Sequence, residues 1–278
     1  MRKKLKKLLN NNLAIFGLIL CIILTLACIF APLLTKYGAN TVEVNEILLA
    51  PSKEHIMGTD QLGRDVFARL LYGGRISIAV GVISAIFGAL IGTILGSISG
   101  YFSGKIDEFF VKLSELFQIF PSIILILLIS SIIGQGVKNI IFIFSITGWM
   151  TTFRMVRNEF LSLKQENYVQ VSKAIGMSNL RIIFKHILPN AMSPVIVALS
   201  LNVAGFILGE AGLSFLGVGV PVDVPTWGNI INAAKSLDVI QNNWWLWLIP
   251  GITISLFILS INFIGDGLRD IMDPKQGE

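Results

Sequence analysis

Charge-free stretches at least as long as a bilayer is thick are the strongest constraint on this chain. A helix crosses the hydrocarbon core in about 20 apolar residues. Runs of that length lie between Lys7 and Lys36, Arg75 and Lys105, Glu115 and Lys138, His186 and Glu210, and Asp238 and Asp266. They predict five spans. A shorter run, Asn139 to Phe153, reaches the required length if Arg154 and Arg157 extend their charged ends to the interface, and it is read as the sixth. Only 14% of the 278 residues are charged and 54% are hydrophobic, against about 25% charged in a soluble domain. The fold class is therefore an all-α integral membrane protein with six transmembrane helices.

In a soluble protein the net charge of +5 would suggest nucleic acid, but the placement of the charges follows the membrane. With a cytoplasmic N-terminus, Lys36, Lys53, Arg64, Arg69, Arg75, Lys138 and Lys235 fall outside, and the other 15 of the 22 lysines and arginines fall inside. That bias favours both termini in the cytoplasm, as an even number of spans requires. The first segment, Arg2 to Leu34, has the basic start and apolar run of a signal peptide, and Ala27-Cys28 faintly resembles a lipoprotein cleavage site. Thr25 and Leu26 do not fit such a site, and the length of the run with further spans behind it predicts an uncleaved first helix. Cys21 and Cys28, seven apart on one face, read as small apolar filler and support neither a disulfide framework nor a metal site.

Residues 1–75 form the tail, first span and an external segment, and 76–278 a core of five spans. The external segment, Thr35 to Arg75, is too short for a sizeable domain of its own. Within it Leu62, Val66 and Leu70 recur at helical spacing opposite Arg64, Asp65 and Arg69, which predicts a helix lying in the interface. Gly88, Gly92, Gly96 and Gly100 then form a four-residue stripe on the second span, a pattern that lets helix backbones approach closely. A turn over Tyr101 to Asp107 joins spans two and three. The cytoplasmic stretch 161–190 contains a helix over Tyr168 to Ile175, a left-handed stop at Gly176, a cap at Ser178 and a break at Pro189. Its apolar Val169, Val171, Ala174, Ile175 and Met177 exceed what so few residues can bury. That shape predicts a partner's groove.

Catalytic chemistry is missing from the pattern. His55 and His186 fall on opposite sides of the membrane, so no zinc site or histidine triad assembles within the chain. The nearest approach to a phosphate loop, Gly104-Lys105, is followed by Ile106 and lacks the second spaced glycine. Asp266 and Asp270 sit together at one cytoplasmic end rather than on facing helices, which argues against intramembrane proteolysis. Glu210, near the outer end of the fifth span, is the one ionisable residue read as lying inside the membrane. It either lines a polar pathway or pairs with a backbone or basic partner.

Four stretches together resemble the C-type permease of the dipeptide, oligopeptide and nickel ABC importers. They are Met57-Gly58-Thr59-Asp60-Gln61-Leu62-Gly63-Arg64-Asp65, the cytoplasmic knob, Glu210 to Gly217 running into Pro225-Thr226-Trp227-Gly228-Asn229, and Gly265-Asp266-Gly267-Leu268-Arg269-Asp270 with Asp273-Pro274. The resemblance covers nearly the whole chain. It identifies the knob with the family's ATPase-docking loop, carried here by Tyr168, Val169, Gln170, Val171, Ser172, Ala174, Gly176, Met177, Leu188 and Pro189. Where the family pattern reads Glu-Ala-Ala this chain has Gln170-Val171-Ser172, and His186 stands at the pattern's isoleucine.

The resemblance implies a type I importer in a bacterial cell membrane. Its partners would be a related sister permease, two cytoplasmic ABC ATPases carrying ATP and Mg, and an extracytoplasmic binding protein that delivers substrate. No cofactor is expected on this chain. Peptide is the leading substrate and nickel or a metal–chelator complex the alternative. The class alternatives are an ATP-independent channel or secondary transporter, whose charged sites would sit near the midplane, and a non-transporting scaffold. With both termini inside, a single cysteine replacing Gln165 in a cysteine-free background is expected to react with an impermeant maleimide from the cytoplasmic side. Reaction from outside alone would overturn the orientation.

Overall fold

The computed structural model describes residues 11–272. Arg2 to Lys7, Asp273-Pro274 and Lys275 lie outside the described residues. Helix α1, Asn12–Ile29, begins where the Asn11 side chain accepts hydrogen bonds from the Leu13 and Ala14 amides, which have no partner within the helix. It lies along the last helix so closely that a Cβ on Gly17 would come within 2.7 Å of the Ser260 carbonyl oxygen.

Helix α2, Val66–Phe102, is a single element of 37 residues, about 55 Å long at 1.5 Å per residue. Its start explains why no separate interfacial helix forms. Asp65 is extended and its carboxylate accepts the Ala68 amide, so the helix begins at Val66. Leu62 stays behind in a turn, where Asp60 Oδ1 accepts from the Leu62 and Arg64 amides. Val66 and Leu70 are buried and Leu62 is half exposed. The helix therefore runs straight through the boundary expected at residue 75. At the other end Ser103 and Gly104 both adopt positive φ, and α3, Gly104–Ile119, follows at once.

The third span departs from expectation. Pro121 cannot donate to a helical ladder and drives the residue before it out of the helical region. Phe120 is accordingly extended, and α3 meets α4, Ser122–Ile133, at a bend of 87°. The apolar run is thus divided, and α4 alone, at about 18 Å, is too short to cross. Helices α5, Val137–Thr147, and α6, Trp149–Leu163, meet at Gly148 and together make the sixth expected span. Arg154 is exposed. Arg157 does not extend along the interface; it forms a two-pronged ion pair with Asp107 on α3, at 2.5 Å and 2.6 Å.

After the short helix α7, Asn167–Ala174, come α8, Met192–Leu216, the five-residue α9, Trp227–Ile231, and α10, Trp245–Met272, which contains Pro250. Among the described residues five helical segments are long and apolar enough to cross a membrane, and the bent α3–α4 pair raises the number to six if it crosses as one.

The glycine stripe of α2 lies against α6 of the same chain. A Cβ would fall 2.5 Å from the Trp149 carbonyl oxygen at Gly92, 2.7 Å from that of Phe153 at Gly96, and 2.6 Å from the Phe160 Cβ at Gly100. Gly88 is looser, with its nearest neighbour at 3.4 Å. The close backbone approach is therefore internal to this subunit, not a contact reserved for a second permease. Gly96→Leu is expected to destabilise the isolated chain by about 3 kcal/mol or more, since overpacking here pushes on backbone. Thermal unfolding of the detergent-purified subunit without partners measures it, and an unchanged transition would remove the stripe from the fold's supports.

Candidate functional site

The knob over residues 161–190 is built on a helix ending of defined geometry. At the end of α7 the Gly176 amide bonds to the Lys173 carbonyl and the Met177 amide reaches back to Ser172. This pair of bonds requires a left-handed residue between them, and Gly176 has φ +78°. Ser178 stands at the start of the next helix but its side chain makes no capping bond. Asn179–Arg181 leads into a π-helical segment, Ile182–Ile187, and Pro189 follows in the turn before α8. The wider π turn aims Ile182, Ile183 and Ile187 inward and leaves Phe184 outside.

The knob has more core than its sequence suggests. Val169 is fully buried, packed in one cluster with Phe160, Ile182 and Ile187, and Met177 and Leu188 are half-buried against the same cluster. The Tyr101 hydroxyl at the end of α2 donates to Asn179 Oδ1 at 2.8 Å. Of the apolar residues expected to seek a groove, Val171, Ala174 and Ile175 remain exposed, and Tyr168, Leu180 and Phe184 join them. Gln170 is also exposed, its amide donating to the Lys164 carbonyl. Ser172 is buried and donates to the Tyr168 carbonyl. These exposed apolar residues come from α7, the turn at Asn179–Arg181 and the π segment, interspersed with exposed Gln170, Arg181 and Lys185.

Glu210 lies at the opposite end of α8 and is completely buried. Among the described residues neither a basic partner nor a backbone group holds it. Ser77 of α2 donates to Oε2 at 2.9 Å and Ser214 to Oε1 at 2.8 Å. The same two hydroxyls accept the Trp227 and Val220 amides, so Glu210 joins α2, α8 and the loop leading to α9. Next to this hub, but without Glu210 in its lining, is a cavity of about 860 Å³ between α4, α5, α8 and α10. The stacked rings of Phe144 and Phe206, 5.1 Å apart, form part of its wall. Among the described residues no group of three or more His, Cys, Asp or Glu is arranged to hold a metal ion.

A long glycine-packed helix, a short-helix knob set between spans and a cavity beside α8 form an arrangement with known relatives. Residues 92–278 match the family described as the binding-protein-dependent transport system inner membrane component, and residues 1–51 match the N-terminal TM domain of oligopeptide transport permease C. This chain belongs to the binding-protein-dependent transport permeases. It is 42% identical to the dipeptide transport system permease protein DppC of Alkalihalophilus pseudofirmus, over 99% of this chain and 90% of that one. It is 40% identical to the oligopeptide transport system permease protein OppC of Bacillus subtilis, over 96% and 87%. The fold matches the MetNI methionine ABC transporter in an inward-facing conformation, with TM-score 0.60 at 19% identity, covering 73% of this chain and 96% of that one. The permease is thus a multi-pass membrane protein with the type I ABC importer fold.

One feature of the permease that its sequence concealed is a loop cap around His55 at the start of α2. His55 is 1% exposed, stacked on Tyr37 at 4.7 Å. Its Nδ1 lies 2.8 Å from Asp65 and its Nε2 2.9 Å from Glu46. Both ring nitrogens can donate only in the imidazolium form. Burial works against that charge, but the hydrogen bonds to Asp65 and Glu46 outweigh it and raise the pKa above the ordinary 6.5. Because Asp65 also caps α2, the cluster fastens the external loop to the longest helix. A histidine among two carboxylates spaced over 20 residues of loop carries no pattern that sequence reasoning could have detected.

The raised pKa sets the sign of a pH effect. A group whose folded pKa exceeds its unfolded value contributes stability that is complete below about pH 6.5 and is lost as pH rises through the folded pKa. The His55 cap should therefore loosen on the alkaline side, and His55→Gln should remove that part of the pH dependence. Thermal unfolding of the purified permease and its variant between pH 5.5 and 9 checks both, and parallel curves would exclude the imidazolium.

Proposed function

We propose that this chain is a transmembrane permease subunit of an ATP-driven importer of peptides. Together with a related sister permease it forms the pathway, two cytoplasmic ABC ATPases bind ATP and Mg beneath it, and an external binding protein delivers substrate. The observation that carries energy coupling is the exposed apolar face of the knob, Tyr168, Val171, Ala174, Ile175, Leu180 and Phe184, beside the left-handed turn at Gly176. An apolar face of that size at the end of a fixed helical stem suits a groove on a nucleotide-hydrolysing partner. Closure of the ATPases on ATP would move the knob, and the adjoining α8 with it. Nucleotide and loaded binding protein would then each favour one of the inward- and outward-open states.

Peptide is favoured over nickel because the relatives carry dipeptide and oligopeptide names. An ATP-independent channel is disfavoured by membership of a binding-protein-dependent family. Both termini are assigned to the cytoplasm on the charge bias. The inner or plasma membrane of a bacterium is the assigned location.

Gly176→Val tests the docking surface. A Cβ at Gly176 meets nothing within 4 Å, so the substitution acts through the positive φ, which a β-branched residue strongly resists. The turn should re-aim while the membrane-embedded part stays folded. In reconstituted complexes, insertion and sister pairing should persist, while ATPase retention and substrate-stimulated ATP hydrolysis fall at least about tenfold, as strain of ~1.4 kcal/mol or more implies. Normal coupled import by this variant, at normal protein level, would overturn the assignment.

A further inference from the structure

A second cavity, of about 360 Å³, lies at the start of α2, the end of that helix remote from the knob. Its walls combine apolar groups, from Leu62, Val66, Ile230 and Leu246, with two arginines, Arg64 and Arg69. Asp60 is the one acidic residue among the described residues that line it. The two guanidiniums converge on a single carboxylate oxygen: Arg64 Nε donates to Asp60 Oδ2 at 2.7 Å, and Arg69 Nε lies 3.6 Å from the same atom. Asp60 Oδ1 is already taken by the Leu62 and Arg64 amides. Arg69 Nη1 donates to the Ala39 carbonyl and to Asn40 Oδ1. Both Nη groups of Arg64 and the Nη2 of Arg69 have no acceptor among the described residues. The Lys235 ammonium is engaged over the Phe215 ring, 5.5 Å from its centre, so the two arginines set the charge of the cavity.

A guanidinium cannot shed its proton, and the Arg64 and Arg69 side chains are only 12% and 2% exposed. One carboxylate against two such cations leaves a net positive charge in a space shielded from solvent, where an unpaired charge is costly. The occupant that relieves it is an anion. A planar carboxylate matches the fork of a guanidinium and takes two N–H groups at once. The apolar walls add a second requirement. An acidic side chain projecting from a folded protein would fill little of the space and leave those walls bare. The last residue of a peptide brings a carboxylate and a side chain on one carbon, and so meets both. The volume falls at the lower end of small-ligand sites, which suits the end of a peptide rather than a long stretch of one.

We propose that this cavity receives the C-terminal carboxylate of a peptide, with Arg64 and Arg69 donating to its two oxygens, Asp60 holding the arginines together, and the apolar walls accepting the last side chain. The site rests on the peptide reading above, and on the orientation assigned there, which puts this end of α2 on the face where the binding protein delivers substrate. Every unmodified linear peptide carries the same terminal group. A site that holds this group through charge, and the side chain only through an apolar wall, accepts many sequences.

The test photolabels the full complex in nanodiscs, without binding protein, using the radiolabelled tripeptide Ala-Ala-benzoylphenylalanine as its free acid and as its C-terminal amide. The acid should label this chain within residues 60–69 or 222–246, and the amide about tenfold less, as loss of a charge-assisted pair of hydrogen bonds implies. Arg64→Gln should bring the acid-to-amide ratio close to one, and Arg64→Lys, which keeps the charge but not the fork, should leave it between the two. A merely structural role for Arg64 would lower both labels together and leave the ratio unchanged, which would overturn the proposal. The wild-type comparison of acid with amide needs no variant, and equal labelling there would overturn it as well. Import of the same acid is measured in proteoliposomes with the binding protein present. Import by the wild type without acid-dependent labelling overturns this site and leaves the peptide reading standing. Detachment of the binding protein by Arg64→Gln, with no labelling of the wild type, would make the arginines a protein contact and overturn the site too. Failure of the wild-type complex to import any peptide would overturn the peptide reading and this site with it.

Discussion

The backbone contact between α2 and α6 is the constraint on which the rest of the molecule depends. In lipid, helices gain little from hiding apolar surface from one another, so association relies on close van der Waals approach and on polar groups that find partners. Gly92, Gly96 and Gly100 provide that approach, letting α2 lie directly on the carbonyl oxygens of Trp149, Phe153 and Arg157. The Asp107–Arg157 ion pair adds a polar tie from α3 to the same helix. An alanine stripe would have set the two axes farther apart and opened the packing that surrounds Phe153 and Phe160, both fully buried.

With α2 fixed in this way, a helix of about 55 Å connects the two faces of the protein. Its outer end holds Asp65, which caps the helix and accepts from His55, and Ser77, which bonds Glu210. Its inner end holds Tyr101 against Asn179 and Ser103 against Lys164. One long helix thus ties the knob at one end to the His55 cluster at the other. The second connection is α8, which starts three residues after Pro189, carries the cavity along its middle and ends at the Glu210 hub. Knob, cavity and Glu210 hub thus share two helices. That arrangement suits a protein whose task is to convert an event on one side of a membrane into an opening on the other.

The membrane class, the helical content and the knob's glycine stop were legible in the sequence because each depends on local chemistry. Charge-free runs report the solvent that a segment must face, and a glycine at the end of a helical pattern reports a helix end. Even the third span's division had its signal in Pro121, although counting apolar residues passed over it. The permease family was legible too, through four separated motifs. Glu210 was recognisable as unusual from its type and depth alone.

What only the tertiary structure decided is which groups face one another. No local rule says that the stripe of α2 meets α6 of its own chain, that Val169 turns inward while Ile175 stays out, or that His55 lies between Glu46 and Asp65. Nor does any spacing announce that Phe144 and Phe206, 62 positions apart, stack in the wall of one cavity. Periodicity assigns a residue to a face of its helix, but the neighbour of that face depends on how all the helices pack at once. Burial and hydrogen bonding are properties of that joint arrangement, so the sequence by itself determined the kind of protein and the ends of its helices, and the packing determined its sites.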